Sequence, residues 1–510
     1  MSSASQRTAI AVFVAVVSVV MSLLIIQPFL DAPVGFDTQA TVLYFDRLAS
    51  GARLEQALTT TPKPFLTVVY GLIHATTGDW RPIVWATILA LAAAAGLASV
   101  LASRVAGAAS AVLVGLAVAS TPLLVEDAAY GNAVPWAVLG WVLAGTLLGG
   151  DRPRPIAAGI VLALAALCRL ETLVIVAVGG AALAWARFGP WPTRWPRPRP
   201  PHRAWAAAFI PFAALPVMLV HDYLLTGDPL FWVDVSRRYS DALRERSSIA
   251  EPVQRMSWFV RRFLPLWPLL VFAAAGLAVL VRRRAWLILV GLTGMGPGIA
   301  AFLVLLAARG TYAPERYALP IDIAVAVLGA FGVGWAVEVG GAAIRRRVAN
   351  DDGWAAASAV AVAVGAIAIV ACLSLLRIGP FDPRMAAGIT DTREVNQHLA
   401  QAKPTLRLPE GDARNLARVQ WLVPTSVRPR TAVDLGVPLT SLGGLSVDLL
   451  EPDGGPLAAG QRIFFDRRAA GPDELDVLES GVDIAVGDLA LRPLVAEPSA
   501  GFWVYGVEPR

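Results

Sequence analysis

Between Ala9 and Leu30 the chain runs without a single charged side chain, and it does so again over 83–103, 107–125 and 285–307. About 20 apolar residues in helical form cross the roughly 30 Å of a bilayer's hydrocarbon core. Runs of this length leave no route to a soluble globule built around one core. The whole composition agrees, with 56% apolar and only 16% charged residues in 510, where a soluble domain carries about 25% charged. A soluble enzyme, a disordered chain and a disulfide-rich secreted module are all excluded. The sequence predicts an α-helical polytopic membrane protein.

Reading the apolar stretches in order gives about 11 spans, a count open by about two because those near 133–186 are short of the length a bilayer requires. They fall at 9–30, 83–103, 107–125, 133–149, 155–168, 171–186, 205–221, 263–281, 285–307, 318–338 and 355–376. No small-residue cleavage signal follows the first, so it reads as an uncleaved helix rather than a signal peptide. The stretch 31–81 is polar, with a semi-apolar piece at Phe65–Ala75 that is short for a span and suits an interfacial helix.

The arginines set the orientation. Arg104, Arg152 and Arg154, the run Arg187–Arg203, Arg282–Arg284 and Arg345–Arg347 all fall on one side when the N-terminus is cytoplasmic. This is the positive-inside pattern of a plasma-membrane protein, and it also explains the basic balance without nucleic acid as a partner. The outer face then receives the loop 31–81, the turn Glu126–Asn132, the loop Asp222–Arg262, the short loop Arg309–Arg316 and the tail. Arginine outnumbers lysine 41 to 2, a bias that with abundant Ala, Gly and Pro points to a G+C-rich bacterial genome, such as an actinobacterium.

The chain divides into a membrane module, 1–376, and a tail, 377–510, of ordinary globular composition. The tail carries 14 Lys/Arg and 18 Asp/Glu, a net of −4, which leaves +9 on the first 376 residues. A helical stretch near Thr392–Ala402 precedes strand-like runs at Val419–Val423, Arg462–Phe465, Val482–Val486 and Phe502–Val507. The pattern predicts a small extracytoplasmic α/β domain. No internal repeat is visible.

Charges gather at span ends on the outer side, where apolar helices alone do not need them. Asp37 stands in GFDTQA, Lys63 in TPKPF, Glu126 and Asp127 at a span end, Arg169 and Glu171 in LCRLETL, His221 and Asp222 before LLTGDPLF, and Arg316 with Tyr317 in PERYALP. Lys63, Arg169 and Arg316 are cations able to hold a phosphate at the membrane surface. Asp37 is a carboxylate able to take a proton from a hydroxyl. Each also has a plain structural use. Asp37 suits a helix N-cap near Thr38, Lys63 an interfacial anchor, Arg316 a salt bridge to Glu315, and Arg169 with Glu171 a paired helix break. His74 suits the polar face of an interfacial helix.

The arrangement resembles the GT-C class of membrane glycosyltransferases, which use polyprenyl-phosphate sugars. The class has an acidic residue in the first outer loop, here Asp37. It has a KPP- or HPP-like segment before an apolar helix ending in glycine, here TPKPFLTVVYGLIHATTGDW. An arginine-plus-acid pair often written RPE is here CRLE, a GDP segment is LLTGDPLF, and an RY-LP segment is ERYALP. The likeness covers roughly 9–335. It implies that Asp37 is the catalytic base. It implies donor-phosphate contacts at Lys63 and Arg316, and Tyr317 and Arg169 are expected to join them. Sugar and acceptor contacts are expected at Glu126, Asp127, Tyr130, Asn132, His221 and Glu171.

The expected activity is inverting transfer of a monosaccharide, arabinofuranosyl or mannosyl in the actinobacterial setting, to an envelope glycan, glycolipid or protein hydroxyl. Membrane lipid is the remaining partner. No cofactor is required. A divalent cation is possible where Asp37 meets Glu126 or Asp127, and oxygen ligands there favour Mg, Ca or Mn over Zn. The cysteines, Cys168 and Cys372, and the four scattered histidines form no zinc pattern. Trp421 and Trp503 in the tail suit core positions better than sugar stacking. Two other classes explain part of the pattern. A transporter or flippase of an isoprenoid-linked sugar accounts for the spans, and an assembly scaffold accounts for the tail.

Overall fold

The computed structural model describes 34–54, 62–149, 152–189, 203–237, 267–308 and 315–348, helical positions 9, 12, 13, 16 and 20, helical residues 398, 399, 401 and 402, and a set of strands beyond them. Most of the first expected span, most of the tail's helical stretch and the whole span 355–376 lie outside the described residues.

The helices, in chain order, are α1 (Phe36–Ser50), α2 (Pro64–Thr77), α3 (Arg81–Ser103), α4 (Ala108–Ala119), α5 (Pro122–Ala129), α6 (Val134–Leu148) and α7 (Pro155–Cys168). They continue as α8 (Glu171–Phe188), α9 (Ala204–Phe209), α10 (Ala214–Thr226), α11 (Trp267–Arg282), α12 (Trp286–Thr293), α13 (Ile299–Ala308) and α14 (Leu319–Val348). Pro64, Pro122 and Pro155 each open a helix, where proline's fixed φ fits and its missing N–H costs nothing.

Among the described residues, five helices are long and apolar enough to cross a membrane: Arg81–Ser103, Glu171–Phe188, Ala204–Thr226, Trp286–Leu306 and Leu319–Ala342. A sixth forms if α4 and the residues from Leu123 to Ala129, bent by 53°, make one broken span. The expected 11 include two stretches, most of 9–30 and all of 355–376, that lie outside the described residues. The stretches read as spans at 133–149, 155–168 and 263–281 are helical, but as Val134–Leu148, Pro155–Cys168 and Leu269–Arg282 they are shorter apolar helices. Fourteen residues rise only about 21 Å at 1.5 Å each.

Small residues let the helices approach closely. A Cβ on Gly276 of α11 would strike the Leu328 carbonyl, and one on Gly332 of α14 would strike the Phe272 carbonyl. The two backbones therefore touch, as small residues allow in membrane bundles. On the other side of α14, Gly334 lies against Ser110 and Gly107 against the Glu338 carboxylate. The main core gathers Leu66, Tyr70, Ile83, Ile88, Leu124 and Phe331, all at most 1% exposed. Helix α2 buries Leu66, Thr67, Tyr70 and Gly71 and leaves Val68 and Leu72 half-exposed. This one-sided pattern is that of an apolar helix seated against a bundle.

Beyond the bundle, six strands form one mixed sheet in the order β2-β1-β3-β6-β5-β4. They are β1 (Trp421–Pro424), β2 (Leu442–Leu445), β3 (Arg462–Asp466), β4 (Ile484–Val486), β5 (Leu489–Glu497) and β6 (Phe502–Pro509). β1 runs parallel to β2 and β3, and the remaining pairs are antiparallel. Four strands coincide with the sequence expectation, while β2 and β5 do not. β2 is LGGL, poor in side chains that favour a pleated surface. β5 contains Pro493, and its ladder to β6 slips between Pro493 and Val495, the irregularity a proline imposes on a strand. Trp503 is fully buried, which makes it a core residue, and His398 stacks on Phe502 with ring centroids 5.5 Å apart.

Candidate active site

The start of α1 is fastened to the turn between α5 and α6. Gly35, the N-cap, donates its N–H to the Tyr130 carbonyl at 2.8 Å. Thr38 Oγ1 donates to the Gly131 carbonyl at 2.9 Å and lies 3.3 Å from Asn132 Oδ1. Gln39 Nε2 donates to the Val34 carbonyl at 2.8 Å. Gly131 makes this turn possible. Its φ is +70°, and its Cβ position is hemmed by Ile83, Thr38 and Val34 at 3.3–3.4 Å, so a side chain there would be strained.

These bonds fix Asp37 in the first turn of α1, where the helix dipole favours a carboxylate. The N-cap is Gly35, so the capping use of Asp37 does not hold. Its carboxylate is instead aimed at Lys63. Lys63 Nζ donates to Asp37 Oδ2 at 2.9 Å, with the lysine side chain 6% exposed and the aspartate 20%. Lys63 is itself the N-cap residue of α2, and its carbonyl accepts the Thr67 N–H at 2.9 Å. An anchor would hold its ammonium out in the headgroups, whereas this one is turned inward. Helices α1 and α2 cross where Gly71 meets Phe45.

A second charged pair sits where the chain breaks between α7 and α8. Arg169 caps α7 in an extended conformation, φ −148° and ψ 117°. Its Nη2 donates to Glu171 Oε1, and both side chains are nearly buried. The guanidinium carbon lies 5.5 Å from the centre of the Tyr317 ring, within cation–π reach. Below the break, Trp141 Nε1 donates to Thr172 Oγ1 at 2.9 Å.

The two pairs belong to one constellation. Lys63 and Arg169 are both electrostatic neighbours of the Cys168 thiol, and Asp127 is one of Arg169 and of Tyr70. Asp127 also accepts the Asn132 side-chain amide at 2.7 Å, so the Asn132 side chain is tied into the turn that holds α1. The structure thus gathers Asp37, Lys63, Asp127, Arg169, Glu171 and Tyr317 at one end of the bundle. Glu126 and Tyr130 flank this group on α5 and its C-cap. Arg316 lies in the short turn Glu315–Ala318 beside Tyr317, and its side chain is outside the described residues.

A third group lies farther along α1. Asp37, Ala40 and Tyr44 share a helical face, and Tyr44 meets His221 edge to face with centroids 6.4 Å apart. His221 Nδ1 lies 3.1 Å from Asp222 Oδ1, and Asp222 Oδ2 accepts the Trp232 backbone N–H at 3.3 Å. The Leu54 N–H donates to the Leu225 carbonyl at 2.6 Å, which ties α10 to the segment after α1. His221 Nε2 is buried with no hydrogen-bond partner among the described residues. At the C-terminal end of α1, burial pushes the Asp46 carboxyl up from its ordinary value, partly offset by the nearby His74 and Arg47.

Among the described residues no group of three or more His, Cys, Asp or Glu side chains is placed to hold a metal ion. Sequence reasoning missed Thr38, Gln39 and Cys168. The first two stand inside the GFDTQA segment, where polar residues among apolar neighbours were the available signal.

No protein-family model matches the chain, and no curated protein matches its sequence significantly. Among solved structures, ArnT from Cupriavidus metallidurans is similar over 99% of this chain and 98% of its own, with 16% identity and a TM-score of 0.49. The archaeal oligosaccharyltransferase AglB from Archaeoglobus fulgidus, solved with an inhibitory peptide and a dolichol-phosphate, is similar over 84% of this chain, with 12% identity and a TM-score of 0.49. The chain spans 64% of that protein's length.

Proposed function

We propose that this protein is a GT-C-type membrane glycosyltransferase that moves a monosaccharide from a polyprenyl-phosphate donor to a hydroxyl of an envelope glycan, glycolipid or protein. The observation that carries the reading is the Asp37–Lys63 contact at 2.9 Å. It sets a partly exposed carboxylate beside a buried cation, and Arg169 is, like Lys63, an electrostatic neighbour of Cys168. A base and a pair of cations at one site suit attack by a hydroxyl and departure of a phosphate.

In this mechanism Asp37 accepts the proton of the acceptor hydroxyl, and that oxygen forms a bond to the anomeric carbon. The bond from the anomeric carbon to the phosphate oxygen breaks, and polyprenyl phosphate leaves with the electron pair. Direct displacement inverts the anomeric centre. A phosphate leaves without a separate general acid, so one carboxylate suffices. Lys63 and Arg169, joined by Arg316 and Tyr317, offset the charge that develops on the leaving phosphate. Glu126, Asp127, Tyr130, Asn132, Glu171 and His221 are the proposed sugar and acceptor contacts. The donor sugar is arabinofuranosyl or mannosyl, and the site faces the outer leaflet. The tail 377–510 forms an extracytoplasmic α/β domain.

The test is transfer in nanodiscs from a panel of polyprenyl-phosphate sugars to envelope-lipid acceptors. The wild type is expected to transfer sugar. Asp37→Asn is expected to lose about 10²–10⁴-fold in turnover while still binding the donor lipid. Transfer by both proteins would move the base elsewhere, with Glu126 next. The charged break at Arg169 is also what a transporter would use. Movement of labelled lipid between leaflets without sugar transfer would favour that reading.

A further inference from the structure

A second site lies in the half of the bundle opposite the charged constellation. A cavity of about 530 Å³ opens among α3, α6, α8, α12 and α14, in the range of roughly 300–1,000 Å³ that ligand sites occupy. Its walls are almost wholly apolar, and Trp141 and Ile175 close it toward the break at Arg169. Asp37, Lys63, Arg169, Glu171 and Tyr317 are all absent from its lining. It is therefore separate from the proposed donor site.

Glycines distinguish this cavity from ordinary packing. At Gly140, Gly159, Gly276 and Gly332 a Cβ would collide with a neighbouring helix, so those glycines serve close approach. At Gly291 a Cβ would meet nothing within 4 Å, and at Gly179 only Val290 at 4.0 Å. Both glycines line the cavity. They are not needed for helix contact, and what they leave is open space.

The far end of the cavity is ringed by cations. Pro153 and Pro155 line it on either side of Arg154, and Ala204 lines it next to Arg203. Arg152, Arg154 and Arg203 are exposed. Arg104 reaches the same end, with Nη1 donating to the Thr146 carbonyl at 3.1 Å, beside Gly145 in the wall. Glu338 at this end is turned onto the start of α4 at Gly107. An apolar slot with an arginine mouth is complementary to one class of ligand, an anionic lipid with its chain inside and its phosphate outside.

We propose that this cavity binds an anionic phospholipid from the leaflet that meets the arginine-rich end, with an acyl chain between Gly179 and Gly291 and its phosphate at Arg104 and Arg154. The cavity shares no lining residue with the charged constellation, and the inference does not rest on the enzymatic reading.

The test is native mass spectrometry of the full chain, released from vesicles of phosphatidylcholine containing phosphatidylglycerol. The wild type is expected to retain one phosphatidylglycerol, and phosphatidylcholine is expected not to replace it. Gly291→Leu, which fills the slot, is expected to abolish the adduct. Arg104→Gln with Arg154→Gln, at positions outside the packed core, is expected to weaken retention at least about tenfold, as loss of two charge-assisted bonds implies. An unchanged thermal transition would show that both variants are folded. Retention by the filled or the arginine variant equal to that of the wild type, or equal retention of phosphatidylcholine by the wild type, would overturn the proposal.

Discussion

Lys63 Nζ donates to Asp37 Oδ2 at 2.9 Å, and this contact joins the first turn of α1 to the residue that caps α2. The two residues are 26 positions apart on separate helices, so the pair fixes how the helices meet as well as where the carboxylate points. The lysine is the more buried partner. An ammonium removed from water is costly unless paired, so each member constrains the other.

A double-mutant cycle reads that constraint. Asp37→Asn removes the charge that the buried ammonium faces at 2.9 Å and is expected to destabilise by about 1–3 kcal/mol, the scale of a lost hydrogen bond to a charged group. Lys63→Met alone is expected to cost less, because Asp37 keeps some contact with solvent. The double variant should recover part of the loss. Thermal or denaturant unfolding in detergent measures the coupling, and a value within about 0.5 kcal/mol of zero would mean that the pair does not bear on folding.

Gly131→Ala tests the turn that holds α1. The φ of +70° costs a non-glycine residue about 1–2 kcal/mol, and the added methyl meets Ile83 and Thr38. The bonds from Gly35 and Thr38 to this turn should lengthen. Under the proposed mechanism, turnover should then fall by about 10²-fold, as misplacing a reacting group by 1 Å does, while binding of the donor lipid is unchanged. Steady-state transfer beside a lipid-binding assay separates the two. A stability loss without a change in turnover would show that the turn does not position Asp37.

Arg169→Lys is not a conservative change. Lysine keeps the charge but lacks the planar guanidinium that meets both Glu171 and the Tyr317 ring. The expected result is a loss of stability of about 1–3 kcal/mol and weaker binding of a phosphorylated lipid. Glu171→Gln should destabilise while leaving the cation free to hold phosphate, so lipid affinity should hold or rise. A fall in lipid affinity for Glu171→Gln as large as that for Arg169→Lys would make the pair purely structural.

Much of this arrangement was legible because charge is conspicuous in an apolar sequence. Asp37, Lys63, Arg169 and Glu171 each stand out against their neighbours, and the structure brings them to one end of the bundle. Pairing was harder to read. Nothing in TPKPF says that Lys63 turns inward to Asp37 rather than outward to headgroups, because that depends on how α1 and α2 cross at Gly71. The Tyr130 carbonyl and the Asn132 amide also hold α1 and Asp127, a tie that no spacing in the sequence signals. Span counting rests on hydropathy, which registers an apolar helix of 14 residues as readily as one of 23. In the sheet, LGGL and a strand carrying Pro493 lack the side-chain pattern that marks a strand, and only pairing with their neighbours makes them so.

Asp46 supplies the pH dependence. Burial raises its carboxyl pKa above the ordinary aspartate value of 3.8, against the lowering effects of His74 and Arg47. A carboxyl whose pKa is higher folded than unfolded holds its proton more tightly in the native state. Its ionisation therefore costs stability as pH rises through the folded value, and the cost is absent below the unfolded value. Asp46→Asn removes the ionisation. The variant is expected to melt at a higher temperature than the wild type near neutral pH, and the gap should close as the pH falls toward 3.8. A melting series in detergent across that range checks the sign. A gap that widens toward acid would show that His74 and Arg47 outweigh burial, and that Asp46 is held as a favourable ion pair.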